Sequence, residues 1–97
     1  MRDRARPSAQ ITVVEASACH LCDEAKATLA ELSKDHPIVV EIVDATSPDG
    51  RALVARHRPA LAPLVLLDGE FFSSGRLPRR KLERTLTALG ARVPAVH

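Results

Sequence analysis

Both cysteines of this 97-residue chain fall within four residues, Cys19-His20-Leu21-Cys22. Two thiols at this spacing can exchange reversibly with other disulfides, contribute half of a metal site, or stay as an inert pair. Exchange chemistry needs a thiolate, so one of the two must lose its proton near neutral pH. A free thiol has a pKa of about 8.5, which a helix N-terminus or an adjacent cation lowers into the range of about 3.5–7.5. Cys19 stands where a helix begins, and His20 beside it is a cation when protonated. Cys22 lies one turn further in, within reach of the first sulfur. Cys19 therefore reads as the nucleophile, Cys22 as the resolving thiol and His20 as a residue that tunes them. Asp23 and Glu24 would oppose ionisation if their carboxylates approached Cys19.

The other readings of these residues are plainer. A zinc site usually takes four ligands. The chain has no second Cys-x-x-Cys, and His36, His57 and His97 have no ligand spacing, so no metal ligand is assigned. A metal site shared across a dimer and an inert cysteine pair remain as alternatives. For His20 the alternative is an exposed polar side chain that tunes nothing.

The elements that must position this motif follow from the periodicity. Residues 1–9 read as a disordered arm. Ile11 to Glu15 is β-branched and long enough for a strand. Ser17 is a candidate cap for a helix starting at Ala18 or Cys19, with Leu21, Ala25, Leu29 and Leu32 on its apolar face. Ile38 to Val43 is almost wholly apolar and reads as a strand covered on both faces. Ser47-Pro48-Asp49 opens a short polar helix ending near His57, with Ser47 as cap and Pro48 at the first position. Leu64 to Leu67 is a third strand. Asp68-Gly69 predicts a tight hairpin to Glu70-Phe71-Phe72, and Ser73-Ser74-Gly75 reads as a loop. Pro78 starts a last helix with Leu82, Leu86 and Leu89 on one face, and Gly90 ends it. Residues 91–97 read as a tail. The order β-α-β-α-β-β-α predicts an α/β fold of one domain over residues 10–90. Its sheet has four strands, with the first two parallel and the last two antiparallel, and helices lie on both faces.

Composition bounds the remainder. The chain is 45% hydrophobic and 27% charged, ordinary for one folded domain with a modest core, and Phe71 and Phe72 are its only aromatics. No apolar run reaches membrane-spanning length, and no cleavage pattern follows the charged N-terminus. The expected compartment is the cytoplasm, where a cysteine pair is catalytic or metal-binding rather than a staple. Residues 1–48 carry five Lys/Arg against eight Asp/Glu, and residues 49–97 nine against four. The basic half either attracts an anion or simply faces water.

These features together resemble the thioredoxin superfamily, and most of all the small glutaredoxin-like proteins. The match rests on four features: the order of elements, Cys19-His20-Leu21-Cys22 between the first strand and first helix, Ala62-Pro63 ahead of the third strand, and Asp68-Gly69 followed by Gly75. The resemblance implies a thioredoxin-like fold, a four-stranded mixed sheet flanked by three helices. It also implies a cis bond before Pro63, with the backbone of Ala62 offered to an extended substrate. In glutaredoxins the start of the last helix lies beside the site of a glutathione carboxylate. Gly75 and Arg76, with Arg79, Arg80 and Lys81 beyond, are the matching candidates here, the alternative being a solubilising face. The chain departs from the family between its cysteines, where His-Leu replaces Pro-Tyr. It departs again where Glu15-Ala16-Ser17-Ala18 replaces a lysine-bearing stretch, where Leu61-Ala62 replaces Thr-Val, and where Ser74-Gly75-Arg76-Leu77 replaces Gly-Gly-x-Asp.

The function these readings imply is thiol–disulfide oxidoreduction. Its substrates would be protein disulfides or mixed disulfides, and its electrons would come from a low-molecular-weight thiol or a thioredoxin-type reductase. No bound cofactor, nucleic acid or membrane is expected, and the protein is expected to be a monomer. A non-catalytic binding module of the same fold and a Cys-pair metal-binding protein are the alternatives.

Overall fold

The computed structural model describes residues 8–92. Its elements are β1 (Ala9–Glu15), α1 (His20–Leu32), β2 (Ile38–Asp44), α2 (Pro48–His57), β3 (Leu64–Leu67), β4 (Glu70–Ser74) and α3 (Arg79–Arg92). The sheet order is β2-β1-β3-β4. β1 runs parallel to β2, while β3 is antiparallel to both β1 and β4. This is the mixed four-stranded sheet with three helices that the sequence predicts.

Alternation along β1 divides its side chains between two cores. Ile11 and Val13 join Val65 against Ala25, Leu29 and Leu32 of α1, Leu82 and Leu86 of α3, and Leu77. Val14 joins Leu64 and Leu66 on the other face, beneath Leu53 and Val54 of α2. So α1 and α3 cover one face and α2 the other. Two turns follow their local chemistry closely. Ser47 caps α2 by accepting from Gly50 N–H at 3.0 Å, with Pro48 at the first helical position. Asp68 and Gly69 both take positive φ, +50° and +84°, as a two-residue hairpin requires. The Asp68 carboxylate also accepts from Gln10 N–H at 2.8 Å and ties the hairpin to β1.

Several expectations are corrected. β2 is not covered on both faces. It is the outer strand, and Val39 and Ile42 stay 52% and 42% exposed. Only β1 flanks it, and the short α2 reaches over its Val43 end alone. Helix α1 is capped by Cys19 rather than Ser17, because Ala18 takes a left-handed φ of +49° that breaks any earlier start. Its buried stripe consequently runs through Cys22, Ala25, Leu29 and Leu32, while Leu21 is half-buried. Ser73 and Ser74 are not loop. They pair with Val65 and Leu64 across a register shift that leaves Phe72 as the extra residue. Backbone pairing to β3 does not depend on the side chains, so polar serines complete the strand. Gly90 does not end α3, which continues to Arg92 with nothing near the glycine to stop it. The N-terminal arm was expected through residue 9, but Ala9 already belongs to β1 and its N–H donates to Pro37 O at 3.0 Å. The rest of the arm and the end of the tail, residues 1–7 and 93–97, lie outside the described residues. Among those described, no helix is long and apolar enough to cross a membrane.

The exposure of β2 has a measurable consequence. Leu29→Ala, at a fully buried position, is expected to cost about 2–5 kcal/mol. Val39→Thr, on the open strand, is expected to change stability by no more than about 0.5 kcal/mol. Urea midpoints of the two variants check this. A Val39→Thr loss approaching that of Leu29→Ala would mean that β2 is covered after all.

Candidate active site

The register of β1 and β3 builds the site. Val14 lies opposite Leu64, so the chain leaving β1 toward Cys19 and the chain entering β3 through Ala62 and Pro63 meet at one end of the sheet. After Glu15 a turn at Ser17 and Ala18 reverses the backbone. Left-handed φ at a residue with a Cβ is uncommon, and here it sits immediately ahead of Cys19. Cys19 is then extended, with φ −112° and ψ 104°, as a cap must be. Its Sγ accepts from Cys22 N–H at 3.0 Å, and its carbonyl accepts from Asp23 N–H at 3.2 Å. A helix cap is normally an oxygen, and here the sulfur takes that place. The two cysteines are joined as a disulfide, with their Cα atoms 5.2 Å apart.

The two sulfurs sit in different surroundings. Cys22 is 1% exposed and lies on the buried stripe of α1, whereas Cys19 is half-buried at the helix start. The Ala62–Pro63 bond is cis, Pro63 is buried, and its carbonyl accepts from Gly75 N–H at 3.1 Å. Neither backbone group of Ala62 has a hydrogen-bond partner among the described residues. Gly75 has φ +83°, and a Cβ there would come within 3.2 Å of the Leu61 side chain. Glycine is thus required twice over, for the left-handed backbone and for the close approach. These contacts bring Ala62, Pro63, Gly75 and Arg76 into one group of loops.

Glu24 ties that group to α1. One carboxylate oxygen accepts from Arg76 Nη1 at 3.0 Å, and the other faces His20 Nε2 at 3.0 Å. Lys26 behaves similarly. Its ammonium meets Glu15 at 2.7 Å and Asp23 at 3.8 Å, and the hydrogen bond to Glu15 holds its pKa above the ordinary lysine value. Further along, Arg79 reaches Glu31 at 3.1 Å and Lys81 lies over the Phe72 ring. Arg76, Arg79 and Lys81 are therefore engaged by α1 carboxylates and an aromatic face. Sequence reasoning noted Glu24 only as an acid that would oppose ionisation of Cys19, and missed this bridge. Its four-residue spacing from His20 was a usable signal, whereas the link to Arg76 spans 52 positions. Leu61, 61% exposed beside Ala62, was also missed. Among the described residues no group of three or more His, Cys, Asp or Glu is placed to hold a metal ion. A cavity of about 180 Å³, lined by His36, Pro37, Leu86 and Leu89 among others, adjoins Ala9 and Asp68. It lies at the opposite end of the sheet from the cysteines.

A disulfide at the head of the first helix, at the same end of the sheet as a cis-proline loop, on a β-α-β-α-β-β-α frame defines a protein of the thioredoxin superfamily. The chain belongs to the glutaredoxin-like domain family (DUF836), whose match runs over residues 10–87. Three solved structures share its fold. One is a mutant thioredoxin from Halobacterium salinarum, 19% identical over 90% of this chain and 79% of that chain, with a TM-score of 0.67. Another is a thioredoxin-like protein from Clostridium perfringens, 16% identical over 95% and 79%, with a TM-score of 0.69. The third is a thioredoxin from Fasciola hepatica, 20% identical over 87% and 83%, with a TM-score of 0.61. At these identities the likeness concerns the fold. No curated protein sequence matches the chain. The family and the cysteine pair support a redox-type role.

Proposed function

We propose that the protein is a thiol–disulfide oxidoreductase that reduces protein disulfides or mixed disulfides through Cys19 and Cys22. In the reduced protein the Cys19 thiolate attacks one sulfur of the substrate. That bond forms as the substrate S–S bond breaks, and the leaving thiolate takes up a proton. Cys22 then gives up its proton and attacks Cys19 Sγ, and the second substrate half leaves as a thiolate that takes up that proton. Two electrons have passed to the substrate, and the protein is left with the Cys19–Cys22 disulfide. A low-molecular-weight thiol or a thioredoxin-type reductase restores the dithiol. No bound cofactor enters the cycle. The proposed setting is cytoplasmic, with the protein acting as a monomer.

The observation that carries this reading is the asymmetry of the two sulfurs at the helix start. Cys19 can be met by a substrate and its sulfur receives the Cys22 N–H, whereas Cys22 is shielded and can attack only its neighbour. The same N–H and the helix dipole favour a thiolate on Cys19. The open backbone of Ala62 supports a substrate lying alongside as an added strand.

The prereduced protein is expected to reduce insulin, or a peptide mixed disulfide, at neutral pH. The reduction potential of the pair, from equilibration with a thiol–disulfide buffer, then shows whether it works as reductant or oxidant. Absence of any disulfide reduction, together with tight retention of zinc by the reduced protein, would establish the metal-binding alternative instead. Stable capture of partners without turnover would establish the binding module.

A further inference from the structure

Three of the cations nearest the disulfide are already matched. Arg76 and His20 both meet Glu24, and Lys26 meets Glu15 and Asp23. Within these pairs three carboxylates meet two permanent cations and His20. The nearby apolar surface is Leu61, which flanks Ala62 and packs over Gly75.

We infer that Glu24 is a specificity-determining residue that neutralises Arg76 and biases the site against anionic thiols. The inference rests on the dithiol-reductase reading and names its substrate class. The favoured substrates are protein disulfides whose cysteine is flanked by uncharged or basic residues, with an apolar side chain laid on Leu61. A free guanidinium next to Gly75 would attract the carboxylate of a small thiol. With Glu24 in place, an incoming carboxylate must displace one that is already bound at 3.0 Å.

The test compares two mixed disulfides of one peptide, its cysteine joined either to glutathione, which is anionic, or to 2-mercaptoethanol, which is neutral. Prereduced protein is used in single turnover with no recycling reductant, and the readout is the ratio of the two second-order rate constants. Glu24→Gln is expected to raise the anionic-to-neutral ratio about fivefold, the scale of one partly exposed charge pair, and the gain should fade at high salt. Combining it with Arg76→Ala should remove the gain. Arg76→Ala alone should move the ratio by less than about twofold, because Glu24 already silences that cation. A ratio untouched by Glu24→Gln overturns the inference. So does a severalfold fall on Arg76→Ala alone, which would mean that Arg76 already serves the anion. If the wild-type protein reacts with neither disulfide, the reductase reading falls and this inference falls with it.

Discussion

Cys19→Ser is expected to abolish disulfide reduction, a loss of roughly a thousandfold or more that leaves only the uncatalysed rate. A serine hydroxyl does not ionise near neutral pH and its oxygen cannot join a disulfide, so the first step has no nucleophile. The change should leave the fold of the reduced protein intact. A serine oxygen can accept the Cys22 N–H that Cys19 Sγ accepts now, and serine is a preferred cap. Cys22→Ser should behave differently. Cys19 can still attack, but no resolving thiol follows, so the substrate half stays attached. Intact-mass measurement after exposure to a peptide mixed disulfide should show one added thiol on Cys22→Ser and none on Cys19→Ser. Retention of more than a tenth of the activity by Cys19→Ser would refute its role as nucleophile. Capture by Cys19→Ser but not by Cys22→Ser would exchange the two roles, against the burial of Cys22.

Gly50→Ala should be the most damaging substitution away from the cysteines. Gly50 is buried at the third position of α2, where the helix descends onto the end of β2. A Cβ added there would overlap the carbonyl oxygen of Asp44 and lie 2.8 Å from Ala45 Cα. Both obstacles are backbone, so neither can rotate aside. They are also held in place. The Asp44 carbonyl accepts from Ser47 Oγ at 2.7 Å and Ser47 N–H at 3.0 Å, and the Asp44 carboxylate accepts from Thr46 N–H and Oγ1. Relief requires the start of α2 to lift from the sheet, loosening Leu53 and Val54 from Val14, Leu64 and Leu66. The expected cost is about 2–4 kcal/mol, or a melting temperature lower by on the order of 10–20 °C for a domain of this size. Gly90→Ala is the control. Gly90 is also helical but has nothing within 4 Å of its added Cβ, so alanine should stabilise the helix by up to about 1 kcal/mol. Circular dichroism melts of the two variants should move in opposite directions. A Gly50→Ala protein melting within a few degrees of wild type would contradict the close approach.

The contrast between these glycines shows where sequence reading stops. By sequence each is a mildly unfavourable helix residue, and Gly90 even resembles a stop signal. What separates them is the backbone of a different segment, Asp44 and Ala45, pressed against one of them and absent from the other. β2 teaches the same lesson. Ile38-Val39-Val40-Glu41-Ile42-Val43 is apolar enough for a central strand, yet hydrophobicity along a strand carries no label for its lateral position. The pairing partners placed it at the rim. The cap of α1 was missed by two residues, because the left-handed turn at Ala18 has no glycine or asparagine to announce it.

The sequence by itself determined the order of the seven elements, the hairpin at Asp68-Gly69, the capped start of α2 and the cysteine pair at the head of α1. These are encoded by neighbours a few positions apart, where helical spacing, strand alternation and turn preference act directly. Only the tertiary structure decided that β2 is an edge, that Gly50 bears the approach of α2 to the sheet, and that Cys22 is the shielded sulfur. It alone showed that the same Glu24 reaches Arg76, 52 positions away. Those outcomes depend on how separate elements meet in space, in most cases across tens of residues. Charge pairing and steric contact act through distance there, and no local pattern records which partner will arrive.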